Sequence, residues 1–222
     1  NATKWVMKTD PAQAFLIPYL CHDFSARGLS PWDMVASGLG HATSFRGSDI
    51  LLVILAARMF YGETDVTINS VNASEHSVST TKIFTVGERQ MILDWMEEFP
   101  EGILSVVAGT FDLWKFITEF LVQNKEQIMS RNGKLVVRPD SGNPVDIICG
   151  EWEEIRLPSG NYEKVPKQGP QGKGVVELLW DIFGGTINEQ GYKVLDPHIG
   201  AIYGDSINLE KQAAIYKQLA AK

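Results

Sequence analysis

The sequence is short of cysteine, of positive charge and of long apolar runs. Cys21 and Cys149 are the only cysteines in 222 residues. Their separation matches neither a disulfide framework nor a metal-ligand spacing, so both are expected as reduced thiols, which favours the cytoplasm. A net charge of −7 argues against the broad cationic surface that non-specific nucleic-acid or anionic-membrane binding needs. It leaves room for a phosphorylated small molecule, because a few arginines in one pocket outweigh a diffuse acidic surface. No stretch reaches the roughly eighteen apolar residues of a membrane helix, and the opening NATKWVMKTDPAQ lacks the basic-then-apolar layout of a signal peptide. Histidine is scarce as well: His22, His41, His76 and His198 show no metal-ligand spacing such as H-E-x-x-H, so no protein metal ligand is assigned.

What is present is an alternation of short apolar runs with segments of helical period, the pattern of an α/β protein with a parallel sheet or barrel. Strands are predicted at Ala14 to Tyr19, Val66 to Val71, Ile103 to Val107, Lys134 to Val137 and Ile199 to Tyr203. Ile92, Trp95, Met96 and Phe99 fall at i, i+3, i+4 and i+7, as do Leu113, Phe116, Ile117 and Phe120, and Val175, Leu178, Leu179 and Ile182. Each set makes one apolar helix face. Ser30 with Pro31 signals one helix start, and Ser48 before DILLVILAARMFYG signals another that ends at Gly62. Residues from about 150 to 174, rich in Pro, Gly and charge, read as a surface excursion with a small hairpin around Ser159-Gly160-Asn161. Ile207 to Lys222 reads as a last helix.

In parallel α/β folds ligands bind beyond the carboxyl ends of the strands. The residues placed there by the predicted strands are His22, Asp23, Phe24 and Arg27; Glu75 and His76; Arg138, Asp140 and Ser141; and Gly204, Asp205 and Ser206. Arginines pair with phosphate oxygens, glycines admit backbone N–H groups, and carboxylates accept from ribose hydroxyls or hold Mg²⁺, so the set suits a phosphorylated sugar. Taken singly, each Arg or Asp also fits a capping or salt-bridging role. Cys21-His22-Asp23 is a nucleophile set in letters only, since adjacent strand residues point to opposite faces.

The motifs VVRPDSGNP, HDFSARG, FRGSD, SEHS and IYGDS, together and in register from about Pro18 to the end, resemble the nicotinamide phosphoribosyltransferase family, in a bacterial or phage-like form. Members are longer at both ends, so the chain resembles their central part. The resemblance implies a partial (β/α) barrel of the type II phosphoribosyltransferase kind. It also implies formation of nicotinamide mononucleotide and pyrophosphate from nicotinamide and 5-phosphoribosyl 1-pyrophosphate in NAD salvage. Mg²⁺ would accompany the pyrophosphate substrate, ATP would act as a coupled activator, and the full-length protein would be a homodimer with sites at the subunit interface. Carried over residue by residue, Phe24 would stack on the pyridine ring and Asp49 would accept from the carboxamide N–H₂. Arg27, His76 and Arg138 would meet the diphosphate. Arg138 would also reach the carboxamide oxygen near Ser105, while Asp140, Gly204 and Asp205 would hold ribose and phosphate. His76 would be the phosphorylated histidine, with a hydrogen-bonded loop histidine as the other reading. His76, Arg138 and Asp140 are the catalytic candidates.

One motif departs. SVVAGTFDLW has Ala108 and Gly109 where the family pattern resembles S-V-V-S-D. The missing carboxylate raises the alternative of a non-catalytic paralogue or inactive fragment that binds a nucleotide or phosphoribosyl ligand, and it predicts that Gly109→Asp raises the transferase rate of a full-length form. A nicotinate-specific enzyme is a further alternative, disfavoured because Asp49 would face the acid with like charge. A partner aromatic and a Gly-rich phosphate loop lie outside these residues in the family, so little transferase activity is expected of the chain by itself.

Overall fold

A computed structural model describes every residue except Arg27, Val66, Thr67, Phe84 and Phe111, with Lys82 and Ile83 described by backbone alone. Two compact units divide it, Asn1–Val71 and Asn72–Lys222. Among the described residues no helix is long and apolar enough to cross a membrane.

The first unit places helix Ala2–Thr9, a 3₁₀ segment Pro11–Tyr19, strand β1 (His22–Asp23), helix Pro31–Ala42, strand β2 (Gly47–Ser48) and helix Leu52–Tyr61 in order. β1 and β2 pair in parallel, and Gly47 also bridges Asn69. Ile50, Val53 and Ile68 form its small core with Met34 and Leu39. The strand predicted at Ala14 to Tyr19 is not a strand. A short apolar run fits either element, and here Pro11 opens a helical turn while Pro18, with no N–H, cannot serve a sheet ladder. Ser30 caps its helix as predicted, accepting from the Asp33 N–H at 3.3 Å. Ser48 does not begin the next one. It pairs with Asp23 in β2 and accepts from the Ile50 N–H at 3.1 Å, so the helix starts at Leu52; it ends at left-handed Gly62, φ 66°.

The predicted strand Val66 to Val71 begins on residues outside the described set, and the rest is split. Ile68 packs into the first core and Asn69 makes one bridge, whereas sheet pairing resumes at β3 (Asn72–Ala73). β3 joins β4 (Glu101–Val107), β5 (Asn132–Arg138) and β10 (Ile199–Ala201) in a four-stranded parallel sheet of order β10-β5-β4-β3. Alternation along β4 and β5 sends Leu104, Val106, Leu135 and Val137 into one core, against Ile92 and Met96 of helix Glu88–Glu98 and Leu178 and Leu179 of helix Val175–Phe183. Ser105 and Arg138 fall on the opposite phase of the same strands and are also buried. One face of the sheet is therefore oily and the other carries polar groups.

One helical segment departs from simple period. After Leu113–Lys115 the helix widens to π form at Phe116–Leu121, which brings Leu121 inward beside Phe116, Ile117 and Phe120. The rings of Phe116 and Phe120 stack at 5.0 Å. Helix Pro144–Cys149 was not predicted, although Asn143 caps it by accepting from the Val145 N–H at 3.1 Å and Pro144 opens it. Beyond it β6 (Trp152–Arg156) and β7 (Tyr162–Pro166) form an exposed antiparallel hairpin. Its feet meet where the Lys167 N–H donates to the Glu151 carbonyl at 2.9 Å and their side chains pair at 3.0 Å. A smaller hairpin of β8 (Gly185–Ile187) and β9 (Lys193–Leu195) precedes β10, and helix Leu209–Leu219 follows it.

Candidate functional site

In the second unit, four of the sequence-selected residues meet at the carboxyl ends of the parallel strands. Ser74, directly after β3, is nearly inaccessible and organises them. Its N–H donates to the Ser105 carbonyl at 2.8 Å, its Oγ accepts from the Val107 N–H at 2.7 Å, and its carbonyl accepts from Arg138 Nη2 at 3.0 Å. The same guanidinium nitrogen stands 3.7 Å from Glu75 Oε2. Glu75 Oε1 in turn accepts from the His76 N–H at 3.0 Å and faces His76 Nδ1 at 2.9 Å, while His76 Nε2 pairs with Asp140 Oδ2. The result is a continuous chain of contacts, Arg138 to Glu75 to His76 to Asp140, spanning β3 and β5.

Gly204, after β10, completes that rim. Its N–H donates to the Pro139 carbonyl at 3.2 Å, and a Cβ built there would touch the side chains of Arg138 and Asp140 at 3.5 Å. Asp205 is exposed beside it. Ser105 is buried within β4 on the phase that carries Arg138. Among the described residues, no cluster of three or more His, Cys, Asp or Glu side chains could hold a metal ion. Magnesium that arrives with a diphosphate needs only one or two carboxylates in addition to phosphate oxygens, and Asp140 and Asp205 match that donor chemistry. A cavity of about 760 Å³ lined by Arg89, Lys115, Phe116 and Phe120 shares none of these residues.

Tyr203 was not singled out from the sequence, yet its hydroxyl donates to the Gly142 carbonyl at 3.1 Å and ties β10 to the loop after β5. Burial, then the carboxylates of Asp205 and Asp140, push that hydroxyl up to about 12. A raised folded value means that the folded protein keeps a proton the unfolded chain gives up. The stabilising contribution is therefore complete below pH ~10 and is lost as pH rises toward about 12. Tyr203→Phe is expected to cost about 1 kcal/mol at neutral pH, for one lost hydrogen bond. It should also flatten the fall in urea midpoint over that alkaline window. An unchanged alkaline slope would show that Tyr203 does not carry it.

The first unit holds a second set. His22 lies on β1 itself, not after a strand, and its Nε2 is 2.8 Å from Asp49 Oδ1. Ser70 Oγ donates to the same oxygen at 2.6 Å. The His22 ring also packs on Phe24, centroids 4.4 Å apart at 33°. Ser70 was missed because a lone serine 21 residues from Asp49 leaves no local sequence signal. Arg27 lies outside the described residues.

Ala108 and Gly109 follow β4 directly. Ala108 is buried in the main core, and its N–H donates to the Arg138 carbonyl at 3.2 Å. Gly109 has φ +72°, and a Cβ there would run into the Leu113 backbone. Any side chain at Gly109 is therefore strained, which opposes the gain expected from Gly109→Asp.

Residues 19–222 match the model of the nicotinate phosphoribosyltransferase (NAPRTase) family. The chain is 42% identical over 213 residues to a protein named nicotinamide phosphoribosyltransferase from Acinetobacter baylyi. It is 35% identical over 207 residues to the one so named from Mycoplasma pneumoniae, and 32% over 210 residues to that from Xanthomonas campestris pv. campestris. These alignments cover 90%, 90% and 92% of the chain but 39%, 40% and 39% of the relatives. The chain thus spans about two-fifths of the length of those curated relatives.

Proposed function

The chain belongs to the nicotinate phosphoribosyltransferase family, and on that premise we propose that it is the central part of a nicotinamide phosphoribosyltransferase of NAD salvage. The observation that carries this reading is the contact chain Arg138–Glu75–His76–Asp140 at the carboxyl ends of β3 and β5. A buried cation, a histidine and a carboxylate at the carboxyl ends of parallel strands support the reading, because ligands of parallel α/β folds bind at those ends. The four-stranded parallel sheet, with its polar face, would be part of a (β/α) barrel.

In the reaction the ring nitrogen of nicotinamide attacks C1 of 5-phosphoribosyl 1-pyrophosphate, the C1–O bond to diphosphate breaks, and the diphosphate departs with the electron pair. Negative charge grows on the leaving oxygens, and Arg138 with Arg27 would stabilise it. Asp140 or Asp205 would hold the Mg²⁺ that accompanies the diphosphate, and the ion would supply partial neutralisation of that charge. Asp140 and Gly204 would fix the ribose, which lets orientation supply much of the rate. No protein nucleophile is required. Phe24 would stack on the pyridine ring and Asp49 would accept from its carboxamide, with Ser105 and Arg138 at the carboxamide oxygen. ATP coupling would act through His76, whose Nδ1 and Nε2 face Glu75 and Asp140, so one of those contacts must open before the ring accepts a phosphoryl group. A cytoplasmic location and a homodimer are part of the proposal, and exposed Leu55, Met59 and Phe60 on helix Leu52–Tyr61 support an interface there.

The test is an assay of the complete reading frame that encodes this segment, with nicotinamide, 5-phosphoribosyl 1-pyrophosphate and Mg²⁺. Formation of nicotinamide mononucleotide supports the reading, and its absence at high enzyme concentration overturns it. Ala108 and Gly109, which offer no carboxylate after β4, motivate a second reading, a non-catalytic paralogue. Calorimetric binding of nicotinamide mononucleotide without turnover would select it.

A further inference from the structure

Three chain segments deliver one hydrogen-bonded group in the first unit. His22 comes from β1, Asp49 follows β2, and Ser70 follows the Asn69 bridge. The backbone beneath them is tied by the Asp49 N–H donating to the Asp23 carbonyl at 3.2 Å and the Ser48 N–H to the Asn69 carbonyl at 3.1 Å. A carboxylate only accepts, so His22 Nε2 must carry the hydrogen it shares with Asp49. Oδ1 then receives two donors, from His22 and Ser70, and its lone pairs are filled. The imidazole has room because Gly47 has no side chain: a Cβ there would lie 2.8 Å from His22 Nδ1.

We propose that His22 is a positioning residue for substrate choice: one imidazole holds both the Asp49 carboxylate and the Phe24 ring, fixing the angle at which an amide-bearing pyridine is received. The inference rests on the pyridine-binding role given above to Phe24 and Asp49. His22 is 14% exposed at its side chain and Asp49 is 42% exposed. The histidine is therefore a support set behind an accessible acceptor, not a direct ligand contact. An untethered carboxylate would rotate about its last bond and meet amide and acid head groups in many orientations. A tethered one offers a fixed acceptor to an N–H₂ and a fixed like charge to a carboxylate, which widens the difference between the two ligands.

The experiment compares nicotinamide with nicotinate as substrates of the complete reading frame, wild type against His22→Ala, His22→Gln and Asp49→Ala. For His22→Ala the KM for nicotinamide should rise about 10-fold with KM for 5-phosphoribosyl 1-pyrophosphate within about twofold, and the preference for amide over acid should fall about 10-fold. His22→Gln keeps an N–H donor and should recover most of the preference. Adding His22→Ala to Asp49→Ala should change the preference no further, because the two act as one unit. If the wild type prefers nicotinamide and His22→Ala preserves that preference, the role of His22 is overturned while the proposed function stands. If the wild type uses neither pyridine, both fall. General damage to folding would lower kcat for both pyridines alike and leave their ratio unchanged, which also counts against the proposal.

Discussion

Arg138→Ala should lower stability by about 2–4 kcal/mol and weaken binding of 5-phosphoribosyl 1-pyrophosphate by at least about 100-fold. Arg138 is 6% exposed, and its Nη2 serves the Ser74 carbonyl at 3.0 Å with Glu75 Oε2 at 3.7 Å. Truncation leaves a buried carbonyl without that donor and removes the positive end of the contact chain that runs through His76 to Asp140. The lower part of the energy range is favoured, because Glu75 is 44% exposed and water will screen it once the arginine is gone. Arg138→Lys should recover little of the binding. A single ammonium cannot hold the Ser74 carbonyl and present a planar fork to a diphosphate together. Urea midpoints and calorimetry with 5-phosphoribosyl 1-pyrophosphate check both halves. A loss under about 0.5 kcal/mol would show that the Ser74 contact contributes little.

Gly109→Asp should be the more damaging change, by about 3 kcal/mol or more, with no gain in turnover. The φ of +72° disfavours any side chain, and the added Cβ would meet the Leu113 backbone. Leu113 opens the helix that Asp112 caps through the Lys115 N–H at 3.0 Å, and Thr110 next to the glycine donates to Glu88 at 2.9 Å from N–H and 2.7 Å from Oγ1. Relief of the collision must move one of these anchors. Thermal unfolding would register the strain directly, and a variant as stable as the wild type would refute the steric argument. At Gly204, by contrast, a built Cβ meets only ordinary contacts at 3.5 Å.

The comparison of Gly109 with Gly204 shows what the sequence disclosed and what it withheld. β4, β5 and β10 were legible because Leu104, Val106, Leu135, Val137 and Ile199 lie in short apolar runs of strand length with no proline inside them. Residues 14–19 were not, since Pro18 within a strand-length apolar run carries the decision and periodicity does not see it. Three-residue β8 and β9 are too short to show alternation. At the candidate site the charged residues stood out by type and by position after predicted strands. Ser74, Ser70 and Tyr203 did not, because their importance lies in partners that folding brings from far along the chain: Arg138 at 64 residues, Asp49 at 21 and Gly142 at 61. The steric demand at Gly109 was hidden for the same reason. A missing carboxylate is visible in a motif, whereas the turn that forbids one exists only in three dimensions.

The ribbon of β6 and β7 has a practical consequence. Its strands are exposed almost throughout, and its two feet are already joined at Glu151 and Lys167 by a backbone hydrogen bond and an ion pair. Because the ends stay closed whatever lies between them, lengthening the turn at Ser159-Gly160 costs only the slow growth of loop entropy, about 0.6 kcal/mol per doubling. A fluorophore or affinity tag inserted there would be carried on a short arm whose root is fixed beside helix Pro170–Lys173, where the Glu151 N–H donates to the Gln171 carbonyl at 2.8 Å. This makes the hairpin a labelling port that alters no residue the proposed chemistry uses.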